Sequence, residues 1–179
     1  MNKLRFYIFN LMPYPHIPPA SEIQSTWVSL SNKYYDPHRG QALYKEYIDQ
    51  LAAAEQFGFD GVAVNEHHAN FYGTMPSPNI IAAMLVQRTK EIPIAIVGNA
   101  IPLHGNPLRV AEEIAMLDVI SGGRIISGFV RGIGCEYFNN GIAPADSVER
   151  FNEAHDLIIK AWTVDGPFTW QGDHFYIPN

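Results

Sequence analysis

The segment NPLRVAEEIAMLDVISGGRIISGFVRGIG, residues 106–134, decides the fold of this chain. Its first pair, Asn106 and Pro107, predicts a helix start, because an asparagine side chain caps free backbone N–H groups and proline fits the first helical turn. The helix is predicted to end at Gly122 and Gly123, and the apolar run RIISGF at 124–129 predicts a strand. A helix that leads directly into an apolar strand is the repeating unit of a parallel sheet with helical crossovers.

The same alternation extends in both directions from this segment. Strands are predicted at 4–9, 61–64 and 92–98, helices at 41–57, 78–89 and 147–162, and a short hairpin from FTW and HFYI near the end. The helix at 147–162 is predicted to begin with a capping box made by Asp146 and Glu149. Four strand–helix units in strict alternation predict an α/β fold. Since a complete eight-unit barrel needs about 250 residues, the chain fits a small open α/β domain or the front half of a barrel.

Composition narrows the class of protein. The chain has 179 residues, of which 47% are hydrophobic and 17% charged, so a single domain over 1–179 is expected. A net charge of −6 argues against nonspecific nucleic-acid binding. No apolar run approaches the roughly 20 residues that span a bilayer, and the first residues lack the pattern of a secretory signal, which favours the cytoplasm. The single cysteine, Cys135, forms no internal disulfide; it follows Gly134 in a predicted loop and is expected to be an unremarkable thiol.

A long segment without predicted secondary structure separates the first strand from the first helix. It runs from Leu11 to Gly40 and contains Trp27, Tyr34 and Tyr35. Loops of this length inside compact domains are uncommon and are usually binding segments or disordered. Its aromatic residues favour an ordered lid rather than disorder.

Ligands collect at the carboxyl ends of parallel strands, and one such end carries Asn65, Glu66, His67 and His68. A metal site needs at least three converging ligands, whereas adjacent side chains on extended backbone point to opposite sides. Acid–base chemistry needs one histidine in a cleft, held by a partner such as Glu66. A structural histidine at a strand end is the third possibility.

Another strand end is rich in glycine and arginine. The stretch SGGRIISGFVRGIG suits close approach of backbone to an anion, with Arg131 supplying charge, but its glycines also fit a helix end and a turn. Arg150 lies near a predicted helix start and can reach the same anion or stay on the surface. Gly98 and Asn99 end the third strand, where a glycine favours a bulge or a tight bend.

Three segments together, FDGVAVNEHH at 59–68, residues 106–134, and ERFNEAHDLIIKAW at 149–162, resemble the bacterial luciferase-like, flavin-dependent monooxygenase family. The resemblance implies a (β/α)8 barrel, of which about the first four units are present. It also implies use of reduced FMN from a separate flavin reductase, and oxygenation of a small organic substrate by dioxygen. A homodimer through the helices at 80–87 and 110–120 is a further implication.

The same resemblance assigns roles to individual residues. His67 is implied to lie at the reactive face of the flavin, and His68 to support it. Arg131 and Arg150 are implied to bind the flavin phosphate. The bond between Gly98 and Asn99 is implied to be a non-prolyl cis peptide beside the flavin ring.

Two departures from the family pattern keep alternatives open. Val130 stands where luciferase has a reactive cysteine, so the role of that thiol does not transfer. The chain also lacks the later barrel units. A deazaflavin-dependent enzyme that transfers hydride, a non-catalytic flavin-binding module and a metal-dependent barrel hydrolase are therefore the other hypotheses.

Overall fold

The computed structural model describes residues 3–178, so residues 1, 2 and 179 of the predicted domain lie outside the described residues. Its centre is a sheet of four parallel strands in the order β1-β2-β3-β4. These are β1 (Tyr7–Phe9), β2 (Gly61–Val64), β3 (Ile94–Ala100) and β4 (Ile125–Val130). The strand order confirms the parallel α/β sheet that the alternation predicts.

Within residues 3–178, five α-helices accompany the sheet, and a small hairpin follows the last of them. The helices are α1 (Pro37–Ala53), α2 (Pro78–Arg88), α3 (Pro107–Ser121), α4 (Gly134–Asn139) and α5 (Ser147–Thr163). The hairpin pairs β5 (Trp170–Gln171) with β6 (Tyr176–Ile177) in antiparallel fashion. Short 3₁₀ turns lie at Ala20–Glu22, Asn32–Tyr34, Ile101–Leu103 and Pro144–Asp146. No helix within residues 3–178 is long and apolar enough to cross a membrane.

The core lies between the sheet and the helices that cover it. All four residues of β2 are buried, as expected for a strand with helices packed over it. Aliphatic side chains from α1, α2, α3 and α5 meet those of β2 and β3; they include Leu51, Leu85, Ile114, Leu157, Ile158, Val62, Val64, Ile94 and Ile96. This packing fixes the strand ends, and with them the loops that carry the polar side chains.

The segment at 106–134 folds as its sequence predicts. The Asn106 side chain accepts a hydrogen bond from the backbone N–H of Leu108 at 3.0 Å, and Pro107 occupies the first turn of α3. Gly122 ends the helix in the left-handed conformation with φ of 69°, which glycine adopts at little cost. The strand predicted to follow is β4.

The start of α1 corrects the prediction of a loop that runs to Gly40. The helix begins at Pro37, because the Asp36 side chain accepts hydrogen bonds from the backbone N–H groups of His38 and Arg39, at 2.8 and 3.3 Å. This cap-then-proline pair has the same physical meaning as Asn106 and Pro107. The lid segment therefore ends before Pro37.

Two predictions near α5 are wrong. Asp146 makes no side-chain cap, because it belongs to a 3₁₀ turn and already has helical backbone angles where α5 begins. Cys135, predicted to lie in a loop, lies in the short helix α4. A six-residue helix gives little periodicity in sequence, which is why it was missed.

The backbone irregularity in β3 lies one residue away from its predicted place. The cis peptide bond joins Val97 to Gly98, so the prediction of a cis bond between Gly98 and Asn99 is wrong. Val97 pairs with Gly128 and Asn99 with Phe129, which leaves Gly98 as the extra residue of a bulge. A Cβ atom on Gly98 would lie 2.2 Å from the Gly128 carbonyl oxygen. Only glycine fits this close approach of two strands.

Candidate functional site

The polar side chains gather where β2, β3 and β4 end. Residues 65–68 follow β2, the 3₁₀ turn Ile101–Leu103 and His104 follow β3, and residues 131–136 follow β4. Because neighbouring parallel strands all end at the same edge, these three loops meet there.

His67 is held by a carboxylate that the sequence analysis did not identify. Its Nδ1 lies 3.0 Å from Oε1 of Glu136, whose residue is 1% exposed. The other Glu136 oxygen, Oε2, accepts a hydrogen bond from the backbone N–H of Ile133 at 2.9 Å. The expectation that Glu66 is the partner of His67 is therefore wrong. Adjacent residues on extended backbone face opposite sides, so Glu66 and His67 point apart.

The Glu136 carboxylate is charged in this environment. Burial by itself raises the pKa of Glu136, but the hydrogen bonds from His67 and from the backbone of Ile133 outweigh burial and lower that pKa. A charged carboxylate accepts hydrogen bonds and donates none. We therefore assign the proton of neutral His67 to Nδ1, and Nε2 then offers a lone pair.

Glu66 contacts two other histidines, His68 and His104. Its Oε1 lies 2.6 Å from Nε2 of His68 and 3.4 Å from Nε2 of His104, while its Oε2 accepts a hydrogen bond from the backbone N–H of Ala100 at 3.0 Å. Burial of Glu66 acts to raise its pKa, but the hydrogen bonds from His104 and His68 lower the pKa to about 2. The hydrogen bond to Glu66 raises the pKa of His68 in turn. This cluster connects the end of β2 to the loop after β3.

Arg131 lines a cavity of about 210 Å³ together with His67, Glu136, Gly98 and Asn65. The Arg131 side chain makes no hydrogen bond or ion pair within the described part of the chain. Asn65 is 8% exposed, and its Oδ1 is buried without a hydrogen-bond partner among these residues. The cavity thus offers an available cation at Arg131 and an unsatisfied acceptor at Asn65.

Arg150 and Asn99 do not line this cavity. Arg150 is half-buried; its Nε donates to the Pro102 carbonyl at 2.7 Å, and its guanidinium lies 4.5 Å from the centroid of the Phe175 ring. Asn99 is 1% exposed and its Nδ2 donates to Oδ1 of Asn79 at 3.0 Å. Both side chains hydrogen-bond to other protein groups. Their contact with a cofactor stays a prediction.

A second cavity, of about 510 Å³, opens on the lid side of His67. Part of its lining comes from the lid and the start of α1, including Leu30, Tyr35 and Tyr44, and part from residues 69–76. The rings of Trp27 and Tyr72 stand edge-on to the His67 imidazole, with centroids 6.3 and 5.5 Å away. His67 is thus the side chain that lines both cavities.

A reactive thiolate at Cys135 and a metal site both find little support in the geometry of the described residues. Burial and the neighbouring Glu136 raise the pKa of the Cys135 thiol, which disfavours the reactive thiolate. Residues 3–178 contain no group of three or more histidine, cysteine, aspartate or glutamate side chains placed to hold a metal ion.

Comparison with known proteins finds a matching family model and similar sequences. A family model described as luciferase-like monooxygenase matches residues 24–179. The 4-hydroxyprotoasukamycin monooxygenase of Streptomyces nodosus subsp. asukaensis is 35% identical over 137 residues, which cover 76% of this chain and 36% of that protein. The chain spans about two fifths of the length of the curated relatives that it matches.

Two solved structures show the same fold. The oxygenating constituent of 3,6-diketocamphane monooxygenase from Pseudomonas putida, in complex with FMN, matches with a TM-score of 0.75 and 20% identity over 97% of this chain and 43% of that one. An F420-dependent secondary alcohol dehydrogenase matches with a TM-score of 0.66 and 25% identity over 75% of this chain and 42% of that one.

Proposed function

The chain belongs to the luciferase-like monooxygenase family, and from this premise we propose that it takes part in an oxygenation that uses reduced FMN and dioxygen. A small organic substrate receives one oxygen atom, and a separate flavin reductase supplies the reduced cofactor. The observation that carries the proposal is the junction at His67, which lines both the cavity of Arg131 and the cavity under the lid.

The four strand–helix units form, in this proposal, the front half of a (β/α)8 barrel that is one domain over residues 1–179. Two observations support it. The parallel strands follow one another in sequence order, as in a barrel. The solved structures that share this fold are matched over less than half their length.

The cavity next to Arg131 offers groups that suit parts of a flavin. The unpaired guanidinium of Arg131 suits the phosphate group, and Asn65 Oδ1 suits an N–H donor on the flavin ring. Reduced flavin supplies the electrons that activate dioxygen. We propose that Arg150 and Asn99 assist through the backbone of the loops that they hold, rather than through their side-chain charge.

His67 manages protons in this proposal. With its Nδ1 bonded to the Glu136 carboxylate, Nε2 can accept a proton, and the imidazolium that forms is stabilised by the charge of Glu136. The same logic makes Glu136 a positioning residue, because it fixes which nitrogen of His67 is free.

A second candidate function is hydride transfer with a deazaflavin. The observation that favours it is the likeness to an F420-dependent dehydrogenase, since F420 is a deazaflavin. The two functions need the same fold and a similar phosphate site, so the cofactor distinguishes them.

Anaerobic binding of three cofactors to the purified chain tests the proposal. Reduced FMN is compared with reduced riboflavin, which has the same ring and no phosphate, and with reduced F420. We expect FMN to bind at least about tenfold more tightly than riboflavin, since a phosphate–arginine contact is worth about 1.5 to 3 kcal/mol. Preference for F420 would favour hydride transfer, and binding of none of the three by the folded chain would contradict both functions.

We also propose a homodimer through α2 and α3. Apolar side chains on the outer faces of these helices are exposed, among them Ile80, Met84, Met116, Val119 and Ile120. Exposed apolar patches of this kind commonly mark protein interfaces.

A further inference from the structure

The lid-side cavity has a lining that restricts what it can bind. At about 510 Å³ it lies in the size range of small-molecule sites and has room for a molecule of two fused rings. Aromatic side chains form much of its wall, namely Tyr35, Tyr44 and Phe71. Such walls favour a flat, apolar body, because aromatic rings pack well against one another.

Charge is absent from the lining that the described residues provide. Apart from His67, no side chain that can carry a charge at neutral pH lines this cavity. Moving an ionic group out of water without a partner costs several kcal/mol. An uncharged ligand is therefore favoured over a carboxylate or an ammonium compound.

Three of the polar side chains in the wall are already engaged. The Tyr44 hydroxyl donates to the Thr74 carbonyl, and the Thr74 hydroxyl donates to the Met12 carbonyl at 2.6 Å. Both ends of the Asn70 amide are used, in bonds of 2.8 Å to the His68 carbonyl and 3.1 Å from the Gly73 N–H. None of these groups needs a ligand to satisfy it.

Three polar groups of the lining make no hydrogen bond among residues 3–178, namely the Asn32 amide, the Tyr35 hydroxyl and Nε2 of His67. The first two can both donate and accept. Since Nδ1 is bonded to the Glu136 carboxylate at 3.0 Å, Nε2 is an acceptor in the neutral imidazole. A ligand that fills the cavity and satisfies this atom must bring a hydrogen-bond donor.

We infer that the lid-side cavity binds an uncharged, planar hydroxyaromatic compound, with its hydroxyl group directed at Nε2 of His67. The inference rests on the proposed function and names the substrate class of that site. In the step that follows, the O–H bond breaks, its electron pair stays on oxygen, and the proton forms the new N–H bond of His67. The product is an aryloxide opposite an imidazolium that Glu136 stabilises. The ring of an aryloxide is richer in electrons than that of the phenol, which prepares it for oxygenation.

Three ligands with one ring system test the inference without flavin or oxygen. They are β-naphthol, its methyl ether, which lacks the donor, and β-naphthoate, which carries a negative charge. Binding to the purified chain is followed by isothermal calorimetry. We expect β-naphthol to bind about tenfold more tightly than either analogue, because each analogue lacks the donor or adds a desolvation cost.

His67→Ala isolates the contribution of Nε2. We expect this variant to bind β-naphthol and the ether with equal affinity, while His155→Ala, a control at a histidine of α5 away from the cavity, keeps the wild-type preference. Glu136→Ala is a second variant, which leaves the imidazole in place but frees its tautomer, and it should reduce the preference in part.

Several results would overturn the inference. They are equal binding of naphthol and ether by the wild type, preference for naphthoate, or a naphthol preference that survives in His67→Ala. The test is separable from that of the proposed function. Naphthol binding without any flavin binding would remove the flavin role alone, whereas flavin binding without naphthol preference would remove the substrate class alone.

Discussion

Among the single residues at the strand ends, His67 has the most specific environment. A buried carboxylate on one side of the imidazole leaves the other nitrogen free toward two cavities. This is the arrangement by which proteins turn a histidine into an oriented base. Glu136 contributes the orientation, and the backbone N–H of Ile133 holds Glu136.

The tautomer of His67 is the first prediction at this scale. We expect nitrogen NMR of the neutral His67 imidazole in the wild-type chain to show the proton on Nδ1. In Glu136→Ala the acceptor for that proton is gone, so the population should shift toward the Nε2–H form. An Nε2–H imidazole in the wild type would contradict the role given to Glu136.

The sequence could identify His67 but not its partner. The motif at 65–68 follows an apolar strand, so its place at the sheet edge could be predicted. Glu136 is 69 residues away in sequence, in a helix too short to show a periodic pattern. The alternation of side chains along extended backbone could have shown that Glu66 faces His68 rather than His67.

At the scale of elements, Glu66 connects two of the loops that form the site. It bonds to His68 two residues on, to the backbone of Ala100 at the end of β3 and to His104 after β3. The loops therefore depend on one buried carboxylate, and their stability should depend on pH.

Glu66→Gln measures that dependence. The pKa of Glu66 is lowered from 4.5 to about 2, so its stabilisation is present above pH 4.5 and is lost as pH falls toward 2. The pKa of His68 is raised above 6.5, so its share is present below pH 6.5 and is lost as pH rises through the higher value. We expect the difference in unfolding free energy between wild type and variant to be largest between pH 4.5 and 6.5, at about 2 kcal/mol.

Urea unfolding across this pH range gives the measurement. Glu149→Gln, at an exposed position of α5, is the matched control and should show no such maximum. A difference between wild type and Glu66→Gln that is the same at all pH values would refute the electrostatic role of the cluster.

The close approach of β3 and β4 makes a separate prediction. In Gly98→Ala the new methyl group would overlap the Gly128 backbone, so the strands must move apart. We expect a loss of about 3 kcal/mol in unfolding free energy. Gly105→Ala, where no atom lies within 4 Å of the added Cβ, should change stability by less than about 0.5 kcal/mol. Similar losses for the two variants would show that the strand contact is not tight.

Local signals explain which elements were predictable. The cap-then-proline pair Asn106 and Pro107 located the start of α3, and Asp36 and Pro37 carry the same signal at the start of α1. The predicted cap at Asp146 failed because a preceding 3₁₀ turn already supplies helical backbone. The position of the cis bond depends on which residue of β3 is the extra one in the bulge, and that follows from pairing with β4 rather than from β3 alone.

At the scale of the whole molecule, the alternation of strands and helices was enough to predict a parallel sheet. The cavities were not predictable, since each is lined by residues from separate parts of the chain. The outer faces of α2 and α3 leave apolar side chains in water, with Val119 81% exposed.

Sedimentation equilibrium tests the dimer that we propose for these faces. We expect the wild type to sediment as a dimer and a double variant, Ile80→Lys with Met116→Lys, as a monomer, because buried charges oppose association. Val148→Lys, at an exposed apolar position of α5, should stay dimeric. A monodisperse wild-type monomer would contradict the proposed interface.

The central claim is that Arg131 and the strand ends around it form a flavin phosphate site within these residues. The most direct test is an anaerobic fluorescence titration with reduced FMN of the wild type, Arg131→Ala and Arg88→Ala. Arg88 lies at the end of α2 and pairs with Asp49, so this control removes the same charge away from the cavity. We predict saturable binding that weakens about 10- to 100-fold in Arg131→Ala and is unchanged in Arg88→Ala. Equal affinity of the wild type and Arg131→Ala, or no binding by the folded chain, would contradict the claim.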